Sequence, residues 1–450
     1  MRRLSPFRYE DTTRPSSSRL IRTVGLVASF VALVAGDAVR TQSGGVIDPT
    51  GTSPRIERLK ADVARGVPGA VDQFWAEMTR QHTPIVDPVP GSVDRIRATL
   101  VWRAAPGTQS VEDMTRILDT DVWYRTFTMP RDHRLSYFFK PKSGRSSDDS
   151  AAGLPDPLNP HRFIPPVAQE RPASAINPSS PFMNSSILVL PDAPASPWVD
   201  PQPGVAAGRV EERSYDSKVY GVTRRVWVYT PPRTPGNSQS APTGLLICLW
   251  GLDYLNEIPV PTILDNLISQ RRIPPLAAVF VDNTGDRFQD FGSTQQFTRS
   301  LSAELLPWAR TTLHLPADPS RTIVTGYSAA GLESTYFVYR YPELIGNVLS
   351  QSGAFWRQFE GEGASEPEWL AKHYAAVPKR ETRFFIDVGG RETQAAGGTF
   401  KDANVRLRDV LLRKGYAVHY VEVPGGEHEF VHWRTTFGDG LIFLTSSWGQ

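Results

Sequence analysis

Cysteine is nearly absent: Cys248 is the only one in 450 residues. That excludes an internal disulfide framework and any cysteine-rich zinc site. A surplus of charge is also lacking, since 49 Lys and Arg against 47 Asp and Glu leave a formal charge of +2. Binding along a phosphate backbone relies on a basic excess, so no nucleic-acid partner is expected. Nor does the apolar run at 23–36 (TVGLVASFVALVAG) reach the length of a membrane span, because it stops at 14 residues and a spanning helix needs ~20. What is present is apolar bulk: 40% hydrophobic residues, with 11 Trp, 14 Tyr and 21 Phe. This supports at least one large core and excludes wholesale disorder. The 39 Pro and 35 Gly point to long connections rather than a helical bundle. A chain of 450 residues is long enough for two or three domains.

The short apolar run has a basic approach. Residues 1–22 hold six Arg and two acids, Glu10 and Asp11, and small residues (Ala35, Gly36, Ala38) follow the run. That order reads as a secretory signal peptide over 1–38. Its removal takes away six Arg and three acids, so the mature charge is 43 minus 44, or −1. The expected location is periplasmic or secreted, with no stable membrane association after cleavage.

Beyond the leader, two patterns divide the chain. Short runs rich in aromatic and β-branched residues, 96–103, 121–128 and 134–140, predict strands. A short helix over 71–79 precedes them. Strands packed this closely suggest a small antiparallel β-sandwich of immunoglobulin-like kind over 55–198. It would carry a long Pro- and Ser-rich loop at 141–185. From 205 to 447 a hairpin (217–231) is followed by apolar strands at 245–250, 276–282, 322–326, 383–389 and 417–424, spaced by helix-length segments. Strands without polar alternation are buried on both faces, so a three-layer α/β domain is predicted.

The strongest local signal in that domain is Gly326-Tyr327-Ser328-Ala329-Ala330-Gly331 after an apolar strand. It is a G-x-S-x-G turn with Ala330 in the second glycine slot. A serine displayed between strand and helix, with helix N–H groups facing a developing oxyanion, is the arrangement of a nucleophile. Serine needs a base, and the order of this fold is Ser, acid, His. His373, His419, His428 and His432 follow Ser328. His373 sits in a helical stretch before the acid could appear and His419 lies within a strand, so His428, in the loop after the last strand, is the candidate base. Glu392, in the loop after 383–389, is the candidate acid, and Asp387 within that strand is the runner-up. The N–H of Leu252, after the Gly251 turn, would complete an oxyanion hole with that of Ala329. His428-Glu429-Phe430-Val431-His432 also matches H-E-x-x-H. Only 18 residues follow it, with no Glu or His among them, so the third ligand a zinc site needs is not found downstream. Neither a metal nor another cofactor is expected.

Further segments carry a family resemblance. SQSGAFW (350–356), ELLPW (304–308), the GRE around Glu392 and the spacing of His428 to Trp433-Arg434 look like motifs of the enterochelin (enterobactin) esterases. So do TDVWYRTFTMP (120–130), DPLNP (156–160) and LVLPDAPASPW (188–198), which resemble that family's N-terminal domain. The likeness runs over about residues 70–446. It implies hydrolysis of the ester bonds of a catecholate siderophore, with the nucleophile on Ser328, the acid on Glu392 and the base on His428. Arg287, in a run similar to the family's R-x-x-E-L-x-x-N, suits an anionic catecholate or carboxylate. Trp356 and Trp433 could stack on an aromatic acyl group, and Arg434 completes the candidate substrate-binding set. The partner implied is a small-molecule ester, in iron-loaded form a ferric siderophore. The same machinery could instead serve feruloyl or acetyl groups on carbohydrate, or acyl transfer. A binding protein with a vestigial triad is the reading from a different class.

Overall fold

The computed structural model describes residues 51–104, 110–111, 113–142, 153–163, 169–178, 180, 182–232, 241–282, 295–357, 367–393 and 400–448. The leader expected over 1–38 and the candidate Arg287 lie outside them.

The front of the chain is a four-stranded antiparallel sheet in the order Ile85–Pro88, Arg95–Arg103, Val122–Pro130, Thr115–Arg116. Alternation of period two gives this sheet two apolar faces. On one, Val101 and Val122 pack with Ile56, Leu59, Phe74, Trp75 and Met78, which come from helices Pro54–Ala64 and Ala70–Gln81. On the other, Ile96, Ala98, Trp123 and Met129 pack against Tyr137 and Leu188, carried by the antiparallel pair Arg134–Tyr137 and Ser186–Val189. The strands expected there form. The first helix is the addition: only Ile56 and Leu59 of its residues are buried, too sparse a stripe to mark it. It starts on Ser53, whose hydroxyl accepts the Arg55 N–H at 3.3 Å and donates to Asp87 Oδ2 at 2.5 Å, a cap tied to the sheet edge.

The described parts of 141–185 are loop, apart from the two-residue strand Pro141–Lys142 and the short helical turn Ala173–Ala175, and they are pinned rather than free. Tyr137 Oη donates to Asp156 Oδ2 at 2.8 Å and accepts from Asn159 Nδ2 at 2.9 Å. Further on, Gln169 Nε2 donates to Asp265 Oδ2 at 2.6 Å and an Arg171 guanidinium nitrogen to Leu255 O at 2.8 Å. Its polar residues therefore serve as buried hydrogen-bond partners, which composition alone reads as linker.

The second sheet has eight strands. Running along it, they are Ala417–Val423, Arg383–Gly389, Asn347–Gln351, Thr322–Tyr327, Gly244–Cys248, Leu276–Val281, Val222–Thr230 and Arg209–Ser217. The first six pair in parallel and the last two join antiparallel. Phe384 and Phe385, adjacent on one strand, show the three layers. Phe384 meets Tyr374 of helix Trp369–Ala376. Phe385 faces Gly440 of helix Phe430–Thr445, where a β-carbon would come within 3.0 Å of its ring. Two differences from the sequence reading stand out. The hairpin begins at Arg209 rather than 217, and strand Asn347–Gln351 was not anticipated. In a parallel sheet of this kind the carboxyl ends of the strands line the site. Here the turns there lead to Leu252, Ser328, Ser352, Glu392 and His428.

Candidate active site

Ser328 sits where strand Thr322–Tyr327 turns into helix Ser328–Arg340. Its φ is +52°, a left-handed conformation that costs a non-glycine residue energy and persists only where the surroundings impose it. The neighbours show why small residues are required. A β-carbon on Gly326 would lie 2.3 Å from Ala330 O and 2.8 Å from Ala330 Cβ, and one on Gly331 would lie 2.8 Å from Ser350 Oγ. Alanine fills the second glycine slot because Gly326 leaves it room. The resulting corner lifts Ser328 out of the fully buried strand to a half-buried position.

The candidate base and acid come from the two outermost parallel strands. Their following loops are zipped together: Gly390 N–H donates to Val423 O at 2.9 Å and Arg391 N–H to Gly426 O at 3.0 Å. Glycines make this approach possible, since a β-carbon on Gly389 would lie 2.3 Å from Gly426 O. His428 Nδ1 is thereby held 2.6 Å from Glu392 Oε2. The other oxygen, Oε1, accepts from Ser352 Oγ at 2.5 Å and from the Gly389 N–H at 2.7 Å. Trp433 Nε1 donates in turn to Ser352 Oγ at 2.8 Å. Burial by itself would raise the Glu392 pKa. The charge and hydrogen bond of His428, the charge of His432 and the Ser352 hydroxyl outweigh it, and the carboxyl is held below its usual range. Asp387 is placed differently. Its Oδ2 accepts from Gln351 Nε2 at 2.9 Å and Thr436 Oγ1 at 2.5 Å, and burial raises its pKa. Glu392, not Asp387, is the carboxylate bonded to His428.

The candidate oxyanion side lies on the adjacent strand Gly244–Cys248. Trp250 is left-handed (φ +59°), and helix Gly251–Asn256 begins at once. Gly251 packs on the neighbouring backbone, where a β-carbon would meet Phe280 C at 2.5 Å. Leu252 and Ala329 thus each occupy the second position of a helix, Gly251–Asn256 and Ser328–Arg340 respectively. Tyr327 Oη donates to Asp253 Oδ2 at 2.6 Å, which ties the Leu252 turn to the serine corner.

The substrate-binding candidates divide. Trp356 is half-buried and stands edge-on to Phe400, with ring centroids 6.1 Å apart, while Phe400 lies 4.1 Å from the His428 ring. It borders the site. Trp433 and Arg434 do not. Trp433 is 2% exposed, stacked on Tyr327 at 4.4 Å and bonded to Ser352, so it backs the acid. Arg434 is 4% exposed and donates to Phe163 O at 2.5 Å beneath the Phe163 ring. Burial lowers its pKa to about 10. Helix Phe430–Thr445 turns both side chains inward, which corrects the expectation that they contact substrate. The helix also starts after His428, so the two histidines of the H-E-x-x-H run are not one turn apart on a common helix. Among the described residues no group of three or more His, Cys, Asp or Glu is arranged to hold a metal ion. None of their helices is long and apolar enough to cross a membrane.

Several contributors carry no local sequence signal. Ser352, left-handed at φ +46°, and His432, buried beside Glu392, are two. A third is the front of the chain. Phe163 and Phe182 pack on Phe430, which lies 5.1 Å from Tyr327. Ser136 Oγ donates to Glu429 Oε2 at 3.0 Å, next to the candidate base.

Comparison with known proteins agrees with this architecture. The family model described as putative esterase matches residues 217–444, and that described as enterochelin esterase, N-terminal, matches 99–199. An iron(III) salmochelin esterase of Escherichia coli O6:H1 is 26% identical over 427 residues, covering 86% of this chain and 97% of the relative. An iron(III) enterobactin esterase of the same strain is 29% identical over 339 residues, covering 74% and 81%. The crystal structure of the enterobactin esterase from Shigella flexneri, solved in the presence of enterobactin, superposes with a TM-score of 0.66 at 24% identity, over 84% of this chain and 98% of that one. With the esterase model spanning half the chain and the N-terminal model in the expected order before it, the protein belongs to the enterochelin esterase family and is a carboxylic-ester hydrolase.

Proposed function

We propose that Ser328, His428 and Glu392 form the catalytic triad and that the scissile bond is an ester of a catecholate siderophore. The observation that carries the triad is the His428–Glu392 pair at 2.6 Å, on loops at the same end of the sheet as the left-handed Ser328 corner. Glu392 accepts the Nδ1 proton of His428, which leaves Nε2 with a lone pair for the serine proton. Ser328 then attacks the ester carbonyl, and the N–H groups of Leu252 and Ala329 receive the oxyanion. The imidazolium returns its proton to the leaving alkoxide, and water repeats the cycle on the acyl-serine. Glu392 stabilises the imidazolium at each stage. The chemistry uses side chains and backbone alone.

The substrate reading rests on the family, on the relatives named for iron(III) salmochelin and iron(III) enterobactin, and on the aromatic border that Trp356 and Phe400 supply for a catechol ring. Turnover of p-nitrophenyl butyrate and of iron-free and ferric enterobactin, all lost in Ser328→Ala, is the expected result. Ester turnover without enterobactin cleavage would keep the triad and move the substrate to another ester. Activity surviving in Ser328→Ala would overturn the mechanism. We also propose export, on the basic, short-apolar, small-residue order of 1–38. N-terminal sequencing of protein recovered outside the cytoplasm should begin near residue 39, and an intact Met1 would refute it.

A further inference from the structure

His432 has no step in the triad, yet it lies buried between two carboxylates. Its Nδ1 is 3.0 Å from Glu427 O and 3.7 Å from Glu392 Oε1, and its Nε2 is 3.8 Å from Asp387 Oδ1. A carbonyl only accepts, so Nδ1 carries a proton. Nε2 and Asp387 Oδ1 are both buried without a hydrogen-bond partner. With a neutral ring and an ionised acid, two bare lone pairs would face each other out of reach of water, which is costly. One further proton removes the conflict, and on Nε2 it makes the ring a cation flanked by Asp387 and Glu392.

We propose that His432 is a positioning residue: kept as an imidazolium by Asp387, it holds Glu392 ionised and aimed at His428. Asp387, His432, Glu392 and His428 then alternate acid and imidazole in a chain that ends at Ser328. The inference rests on the triad reading above. The groups around the ring agree with it. From strands Asn347–Gln351 and Arg383–Gly389 and helix Phe430–Thr445, Gln351 and Thr436 occupy Asp387 Oδ2, which leaves Oδ1 for the ring. On the loop after Gly389, Ser352 and the Gly389 N–H occupy Glu392 Oε1, and His428 takes Oε2. Tyr420 of strand Ala417–Val423 interacts electrostatically with both acids. Glu427 sits 3.8 Å from the Arg391 guanidinium, with Glu429 beside it. The carboxylates nearest the ring are those of Asp387 and Glu392, at 3.8 and 3.7 Å.

The test is the pH dependence of kcat/KM for p-nitrophenyl butyrate in His432→Gln, Asp387→Asn and the double variant, with Ser328→Ala as control. Loss of the cation leaves the Glu392 charge uncompensated, so His428 holds its proton to higher pH. The acid limb is expected to move up by about one pH unit in each single variant and no further in the double variant. At pH 7, kcat should fall about tenfold with KM within about twofold. Unshifted acid limbs in folded variants, with Ser328→Ala inert, overturn this inference and spare the triad. Activity in Ser328→Ala overturns the triad itself. Should His432→Gln melt early, Asp387→Asn carries the comparison. Selective 15N labelling of the eight histidines gives a readout on the native protein. One ring with both nitrogens protonated in the active enzyme is expected, and its absence refutes the proposal.

Discussion

The hydroxyl of Ser352 offers a sharp test of how the acid is held. It donates to Glu392 Oε1 at 2.5 Å and accepts from Trp433 Nε1 at 2.8 Å, all three groups being buried. Ser352→Ala removes both bonds and little else, because alanine bears the same backbone cost as serine at φ +46°. A hydrogen bond to a charged acceptor contributes about 1.5–3 kcal/mol, and an indole N–H left unpaired costs about 1–3 kcal/mol. The two losses share one atom, so about 2–5 kcal/mol in total is expected at pH 7. Only the first part depends on charge. The folded-state pKa of Glu392 is lowered, so the stability it contributes is present above the unfolded carboxylate pKa and is lost as pH falls through the folded value. Removing a donor raises that folded value, so the variant begins to lose stability at a higher pH than the native protein. The assay is urea unfolding of both proteins from pH 7 down to the lowest pH at which both still refold. The gap between them should be largest at pH 7 and shrink by about 1 kcal/mol or more as Glu392 protonates. A gap independent of pH would refute the view that Ser352 stabilises the ionised acid.

Three more outcomes follow from the same geometry. Glu392→Gln keeps the shape but removes the charge that orients His428, so kcat should fall about 10²–10⁴-fold with KM little changed, as steady-state kinetics would show. Arg434→Ala removes the donor to Phe163 O and should cost about 2–4 kcal/mol in urea unfolding while leaving KM unchanged. A large KM effect would restore Arg434 to the substrate site. Glu429, beside the base, has its carboxyl pushed from 4.5 to about 8 by burial, helped by the charge of Glu427. A folded value above the unfolded one means that stability declines as pH rises from about 4.5 to about 8. Glu429→Gln should flatten that decline in melting temperatures taken across the range, and an unchanged slope would show that Glu429 is not its source.

What could be read from the sequence followed how local each signal is. The serine corner was legible because strand, small residues and helix lie within one short run. The pairing of Glu392 with His428 was legible because chain order and loop position leave few choices. Strand Asn347–Gln351 was hidden by its polar letters, two of which donate to backbone carbonyls: Asn347 Nδ2 to Ser320 O at 2.8 Å and Gln351 Nε2 to Trp433 O at 2.7 Å. Trp433 and Arg434 misled because residue type suggests substrate contact but not the direction of a side chain. The last helix is buried around most of its circumference, so no apolar stripe fixed its rotation. Ser352 and His432 act through partners 40 residues away or across the sheet, and a pattern along the chain has no way to express that.

The front of the chain has a larger part than framing a cleft. The His428 loop is gripped on two sides. On one, the Gly389–Glu392 turn bonds to it through the Arg391 and Gly390 N–H groups. On the other, Gly425, left-handed at φ +66°, leaves room for Asp132 and His133, where a β-carbon would lie 3.0 Å from Asp132 Oδ1, and Ser136 bonds to Glu429. Holding His428 2.6 Å from Glu392 draws on both grips, because a loop anchored at one end only retains its hinge freedom. The antiparallel strands before the hydrolase sheet are therefore part of what places the imidazole. Separating them from the second half of the chain would loosen the His428 loop even with Ser328, Glu392 and His428 intact.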